Sequence, residues 1–376
     1  MQKESIKLPL RIFLVIAFLY LFLVSIGLMG VAFKGFGKEF AENLIRTTSN
    51  PFIGLFIGIL ATSIVQSSST ITSIAVGMVA AGVITVSNAI PIVMGANIGT
   101  TVTAVLVSLG HISRRDEFKR AITGATVHDF FNIICVCILF PLEMATGVLH
   151  KLASGMSGLF ANAGGIKFTS PIKLATKPVV NFVKHFFIDI LDVSHYTGYI
   201  LILIVSIIVL IAALYFIVRL MKTLVVKRAE IVLNNVLGKR GYLGIIAGIL
   251  FTAFVQSSSI TTSLLVPLVA AGILTVETVF PITMGANIGT TITAILASFA
   301  TGNISGITIA FVHFLFNATG VLFLYPISIF RAIPIRLAKG LGELAYKKRR
   351  YAVIYVLTMF FLIPFILIMI SEFIRR

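Results

Sequence analysis

One polar sequence occurs twice in this chain, and the repetition restricts its fold more than any other feature does. Gln66-Ser-Ser-Ser69 returns as Gln256-Ser-Ser-Ser259. At the same offset, Gly95-Ala-Asn-Ile-Gly-Thr-Thr101 returns letter for letter as Gly285-Ala-Asn-Ile-Gly-Thr-Thr291. Counted over both motifs, 27 of the 43 positions in 66–108 are identical in 256–298, which identifies an internal repeat. Each half must therefore build the same unit, and the two units must pack together. Both polar stretches interrupt apolar sequence, so they are the first candidates for function.

The chain is 58% hydrophobic and only 11% charged. Its apolar runs reach the roughly 20 residues that a helix needs to cross a bilayer. An integral, all-α membrane protein is expected. The run over 8–33 is too long for a signal-peptide core and lacks a small-residue cleavage pattern, so it reads as a spanning helix. The net charge of +17 raises the question of nucleic acid. The Lys and Arg residues fall between apolar runs, however, as in membrane proteins oriented by cytoplasmic positive charge. The lipid bilayer is thus the expected partner, and nucleic acid is not. Cys135 and Cys137 lie two apart in an apolar run, pointing in different directions on a helix, and read as packing residues. No nucleotide loop, metal-ligand cluster or Ser-His-Asp arrangement is present, so no enzyme and no organic cofactor is expected.

The organisation follows from the repeat. Residues 1–50 hold a first span and an amphipathic segment, and 51–143 form the first repeat. Residues 144–195 read as a loop region outside the membrane, glycine-rich around 155–165 and dotted with Lys167, Lys173, Lys177 and Lys184. A span and a basic amphipathic stretch occupy 196–240, and the second repeat occupies 241–330. A basic interfacial segment and a last span close the chain over 331–376. Within each repeat, two short apolar arms flank the Gln-Ser-Ser-Ser tip (52–65 and 71–82; 242–255 and 260–272). Too short to span, they read as a re-entrant helical hairpin. The next runs, 86–109 and 276–300, are long enough, but each carries the Gly-Ala-Asn motif in its middle, and its two glycines predict a broken transmembrane helix. The spans that follow carry His128, Asp129 and Asn132 in the first half, and His313 and Asn317 in the second. The basic clusters at 111–120, 219–240 and 331–350 belong on the cytoplasmic side, and the uncharged 301–306 outside. That assignment puts the amino terminus inside, the carboxyl terminus outside and the two repeats in inverted topology, a secondary-transporter arrangement.

Irregular backbone at membrane depth survives only when it is buried in protein or lines a wet cavity. At each tip a half-helix begins at the serines, so free N–H groups, hydroxyls and the positive dipole end face an anion. Gln66, Ser67, Ser68, Ser69, Gln256, Ser257, Ser258 and Ser259 are the candidate substrate-binding residues. Asn97, Thr100, Thr101, Asn287, Thr290 and Thr291 offer neutral oxygens suited to a hard cation such as sodium. Asp129 is the one carboxylate well inside a span, where an acid is functional by default. Serine and threonine in membrane helices also bond to their own preceding carbonyls, and glycine also lets helices pack closely. One such motif would favour that bland reading; two matched copies favour a binding site. His128 and His313 read as packed partners of Asn132 and Asn317, and Glu143 and Glu277 as interfacial groups facing water.

With these residues in view, the chain resembles the type II sodium-dependent phosphate cotransporters. The doubled Gln-Ser-Ser-Ser is that family's signature. Ala125-Thr-Val-His-Asp129 with Asn132, Pro141-Leu-Glu143, and His313-Phe-Leu-Phe-Asn317 through Tyr325-Pro326 to Pro334-Ile-Arg336 extend the likeness over nearly the whole chain. The resemblance implies sodium-driven uptake of inorganic phosphate across the plasma (inner) membrane, with both tips forming the substrate site and sodium co-transported. It also implies a sodium site at Gln256, Ser257, Thr290 and Thr293, a cation-linked role for Asp129 and a cation ligand in Asn132. This chain has His111 and Arg114 where animal members have Gln and Asp, and Ala286 where they have Ser. Those positions are linked to another sodium site, so the number of coupled cations stays open. The short form, without paired extracellular cysteines, resembles bacterial members. Another oxyanion or a carboxylate as substrate, and a passive anion channel, remain alternatives on the residues alone. The oligomeric state also stays open, a homodimer included.

Overall fold

A computed structural model describes residues 7–162, 171–191, 193–236 and 241–375. Lys167, the end of the glycine-rich stretch (163–165) and the end of the 219–240 basic cluster (237–240) lie outside the described residues. Among those residues the chain is helical, without a strand. α1 (Lys7–Gly35) is the first span, and α2 (Gly37–Thr47) is the amphipathic segment. The first repeat comprises α3 (Pro51–Val65), α4 (Ser68–Ala81), α5 (Val86–Gly99), α6 (Val102–Leu109) and α7 (Arg115–Thr146). α8 (Val148–Asn162) and α9 (Pro171–His185) follow, then the long α10 (His195–Val236). The second repeat comprises α11 (Gly241–Val255), α12 (Ser258–Ala270), α13 (Val276–Thr301) and α14 (Ile304–Leu324). α15 (Ser328–Lys347), α16 (Arg350–Leu357) and α17 (Ile363–Arg375) complete the chain, the last two joined by a π-helical turn over Thr358–Leu362. Seven helical stretches among the described residues are long and apolar enough to cross a membrane.

Local sequence sets the helix ends. Asn50 caps α3 by accepting the Phe52 N–H, with Pro51 at the first helical position, where its missing N–H costs nothing. α3 turns away from α2 by 97° at this cap. The chain enters α5 and α13 in the same way in both halves: Thr85 accepts the N–H of Asn88, and Thr275 that of Thr278.

The two halves pack alike. α3 lies against α5, and α11 against α13, and these are among the closest pairings in the molecule. The second arms cross over, α4 contacting α13 and α14 while α12 contacts α6 and α7. Each half therefore closes its core with helices of the other.

The expected helix breaks are where the structure departs from the sequence reading. α13 runs unbroken through Gly285–Thr291. In the first half the interruption is confined to Thr100 and Thr101, whose backbones keep helical dihedrals. The glycines serve packing instead. A Cβ on Gly95 would strike the carbonyl oxygen of Leu55, and one on Gly285 that of Ile245. Gly99 and Gly289 would each bring a Cβ to 2.5 Å from a carbonyl oxygen, of Ile59 and Ile249. From the facing helix, Gly58 and Gly248 meet the carbonyls of Ile92 and Ile282 just as closely. Two glycines four apart on each helix let the backbones touch, as small residues do between membrane helices.

Two smaller departures concern the flanks. The span expected over 304–330 ends at Leu324, and its last residues start α15. Glu143 does not face water. It is buried, and its two carboxylate oxygens accept the N–H groups of Leu149 (2.6 Å) and His150 (3.2 Å) at the start of α8. The helix start satisfies the charge that burial would otherwise penalise. Glu277 is half-exposed and pairs with Lys339 at 2.6 Å.

Candidate functional site

Each tip is built from one strained residue and one cap. Gln66 (φ 57°) and Gln256 (φ 62°) end their first arms in the left-handed conformation, the only non-glycine residues with positive φ among those described. Such a backbone costs about 1–2 kcal/mol for a residue with a Cβ. It reverses the chain within one residue. Ser67 and Ser257 then take extended dihedrals and cap the second arms, their hydroxyl oxygens accepting the N–H groups of Thr70 (3.2 Å) and Ile260 (3.4 Å). The next two serines of each tip are buried at the first turn.

The fold brings the tips together. The Ser69 hydroxyl donates to the carbonyl of Gln256 at 3.4 Å, and Ser259 to the carbonyl of Thr100 at 3.5 Å. Ser68 and Thr100 share a hydroxyl–hydroxyl bond of 2.9 Å, and the Ser258 N–H donates to Thr290 Oγ1 at 3.1 Å. Thr293 donates to Gln256 Oε1 at 2.8 Å. The paired threonines divide their work. Thr100 and Thr290 face the tips, whereas Thr101 and Thr291 bond back to the carbonyls of Ile98 and Ile288 on their own helices.

Beside the tips lies a buried asparagine lattice that joins the halves. Asn132 on α7 donates to the carbonyl of Asn97 at 2.6 Å and accepts from Asn287 of the other half at 2.7 Å. In the mirrored relation, Asn317 on α14 donates to Asn97 Oδ1 at 3.1 Å. His128 Nε2 bonds to Asn287 Oδ1 at 2.6 Å, so its partner is across the repeat boundary rather than one turn along, at Asn132. Asn317 does bond to its own-helix His313, but through the backbone carbonyl, and neither ring nitrogen of His313 has a partner. The side-chain oxygens of Asn97 and Asn287 each accept one N–H here, which leaves each a second lone pair.

Asp129 is fully buried. Its Oδ2 accepts the hydroxyl of Tyr355 at 3.2 Å, Thr101 lies within reach, and Oδ1 has no hydrogen-bond partner. Tyr355 belongs to the last span, and nothing in its sequence neighbourhood singled it out. No group of three or more His, Cys, Asp or Glu side chains that could hold a metal occurs among the described residues. A cation at this centre would meet neutral oxygens and at most the Asp129 carboxyl. That donor set fits a singly charged hard ion better than a transition metal.

Helices long and apolar enough to span, packed around a doubled polar centre, are the plan of a polytopic membrane protein with buried oxygen groups contributed by both repeats. Residues 21–165 and 209–365, the bulk of both repeats, match the Na+/Pi-cotransporter family. The chain is 35% identical over 444 residues to the sodium-dependent phosphate transport protein 2B of Pongo abelii, covering 94% of this chain and 64% of that protein. It is likewise 35% identical over 426 residues to the sodium-dependent phosphate transport protein 2A of Rattus norvegicus, covering 94% and 67%. The chain belongs to the Na+/Pi-cotransporter family. It spans about two thirds of the length of these curated relatives. No solved structure matches it.

Proposed function

We propose that the protein is a secondary transporter that imports inorganic phosphate with sodium across the plasma (inner) membrane by alternating access. The observation that carries this reading is the meeting of the two Gln-Ser-Ser-Ser tips, bonded to each other and to Thr100 and Thr290. Membership of the family and the names of the relatives supply the substrate.

In this reading Gln66 to Ser69 and Gln256 to Ser259 hold phosphate. Serine hydroxyls and first-turn N–H groups donate to its oxygens, and the helix starts supply positive potential. No Lys or Arg is needed at the tips, so bound sodium offsets the anion's charge, and this is the physical basis of coupling. Gln256, Ser257, Thr290 and Thr293 form one sodium locus. Asn97, Thr100, Thr101, Asp129, Asn132, Asn287 and Thr291 supply or position further oxygens. The hairpins are re-entrant and the repeats inverted, with the amino terminus inside and the carboxyl terminus outside, as the basic clusters require.

The test is uptake of radiolabelled phosphate into proteoliposomes holding the purified chain, with an inward sodium gradient or with choline in its place. Uptake that follows the sodium gradient is expected. Uptake indifferent to sodium overturns the coupling, and conduction without any gradient coupling identifies a channel.

A further inference from the structure

The two tips have the same sequence and the same backbone, yet their glutamines are placed differently. Gln256 is tied on both sides, its Nε2 donating to the Ala253 carbonyl at 2.6 Å and its Oε1 accepting Thr293 at 2.8 Å. Gln66 is exposed. Its partner by the repeat is Thr103, one turn beyond Gly99, and the hydroxyl of Thr103 is buried with no hydrogen-bond partner. Both residues match their counterparts letter for letter, so substitution does not explain the missing contact.

The first arm of the same tip carries a second orphan. Thr252 shares a 2.6 Å bond with Thr261 in the second half. In the first half the position of Thr261 is taken by Ile71, which offers no hydroxyl, and Thr62 Oγ1, the counterpart of Thr252, is buried without a partner. Thr62 packs against Gly99, one turn before Gln66 on α3. Thr103 lies one turn beyond Gly99, so two unpartnered hydroxyls and an exposed amide flank the first tip. An unsatisfied buried hydroxyl costs about 1–3 kcal/mol, so an oxygen-seeking occupant recovers that cost. The set carries no charge and offers two hydroxyl oxygens and an amide oxygen, a donor set that suits a singly charged hard cation.

We propose that Thr62, Gln66 and Thr103 form a second sodium-binding locus, the first-half counterpart of the Gln256–Thr293 contact, completed when Gln66 turns inward onto Thr103. The inference rests on the sodium-coupled reading given above. It adds Thr62 and Thr103 to the site, and it makes the two tips alternate between an open and a tied glutamine.

The test compares Thr103→Val, Thr103→Ser and Thr293→Val in the full chain. Sodium titrations of phosphate uptake are paired with thermal unfolding in choline and in sodium. Loss of one hydroxyl ligand is expected to raise the half-activating sodium concentration of Thr103→Val about five- to tenfold, and Thr103→Ser restores it. In choline, Thr103→Val unfolds no earlier than the parent, because its hydroxyl has no partner to lose, while the rise in midpoint caused by sodium shrinks. Normal sodium activation in Thr103→Val beside a shifted Thr293→Val overturns this inference alone. Normal activation in both overturns the sodium-coupled reading of the tips as well. A lowered midpoint in choline with an unchanged sodium response makes the hydroxyl a structural group and overturns the proposal. Should Thr103→Val not accumulate, Thr62→Val is put through the same comparison with the same expected outcomes.

Discussion

Asp129 is the residue on which charge and structure meet. Its carboxyl is buried against Tyr355, with one oxygen unpartnered. Asp129→Asn keeps an acceptor for Tyr355, removes the charge and puts an N–H donor in place of one carboxyl oxygen. Weakened or uncoupled sodium activation is expected in the uptake assay, and an unchanged sodium titration would remove Asp129 from the cation path. Tyr355→Phe isolates the structural share of the pair. It strands a buried polar oxygen at a cost of about 1–3 kcal/mol, read as a lower unfolding midpoint. The sequence exposed Asp129 because an acid inside a span is conspicuous, but it was silent on Tyr355. The reason is physical: spacing along a helix tells which residues share a face, and it carries no information about what lies across from that face. The same limit explains His128. Its neighbour by spacing was Asn132, whereas its partner in space is Asn287 on a helix of the other half.

At the scale of helices, the doubled glycines were legible as special but not as to kind. A glycine pair in a long apolar run is compatible with a break or with a tight seam, and only the facing helix decides between them. Here α3 and α11 carry glycines in step with those of α5 and α13, so the backbones close up and the helices continue. Gly95→Val and Gly285→Val should each lower the unfolding midpoint sharply or abolish folding, since overpacking costs about 1–3 kcal/mol even where neighbours can shift. A rigid carbonyl cannot shift as a side chain does. Gly155→Ala, where a Cβ would meet nothing within 4 Å, is the control and should be silent. The hairpin arms, by contrast, were legible to within three residues. Their signal was purely local: an apolar run too short to span, a polar tip, and a serine placed to cap the next helix.

For the molecule as a whole, the repeat in the sequence foretold two like units, and the contacts bear out that likeness, with α4 and α12 crossing to the opposite half. Orientation in the membrane rests on the basic clusters alone. Single cysteines introduced at Gly302 and at Arg115, in a chain freed of Cys135 and Cys137, check it. A membrane-impermeant thiol reagent added to intact cells should label the first and spare the second. Labelling of both, or the reverse, would unseat the inverted arrangement.

The glycine seams also bear on motion. Where a carbonyl oxygen rests against a bare Cα, the backbones lie in direct contact, so each first arm is expected to move with its long helix as a block, α3 with α5 and α11 with α13. In the alternating access proposed above, opening would not draw on displacement inside those blocks. It would draw instead on the surfaces where hydroxyls and amides meet across the halves. In the proposed reading, the tips that hold phosphate would then also be the surfaces on which the blocks move.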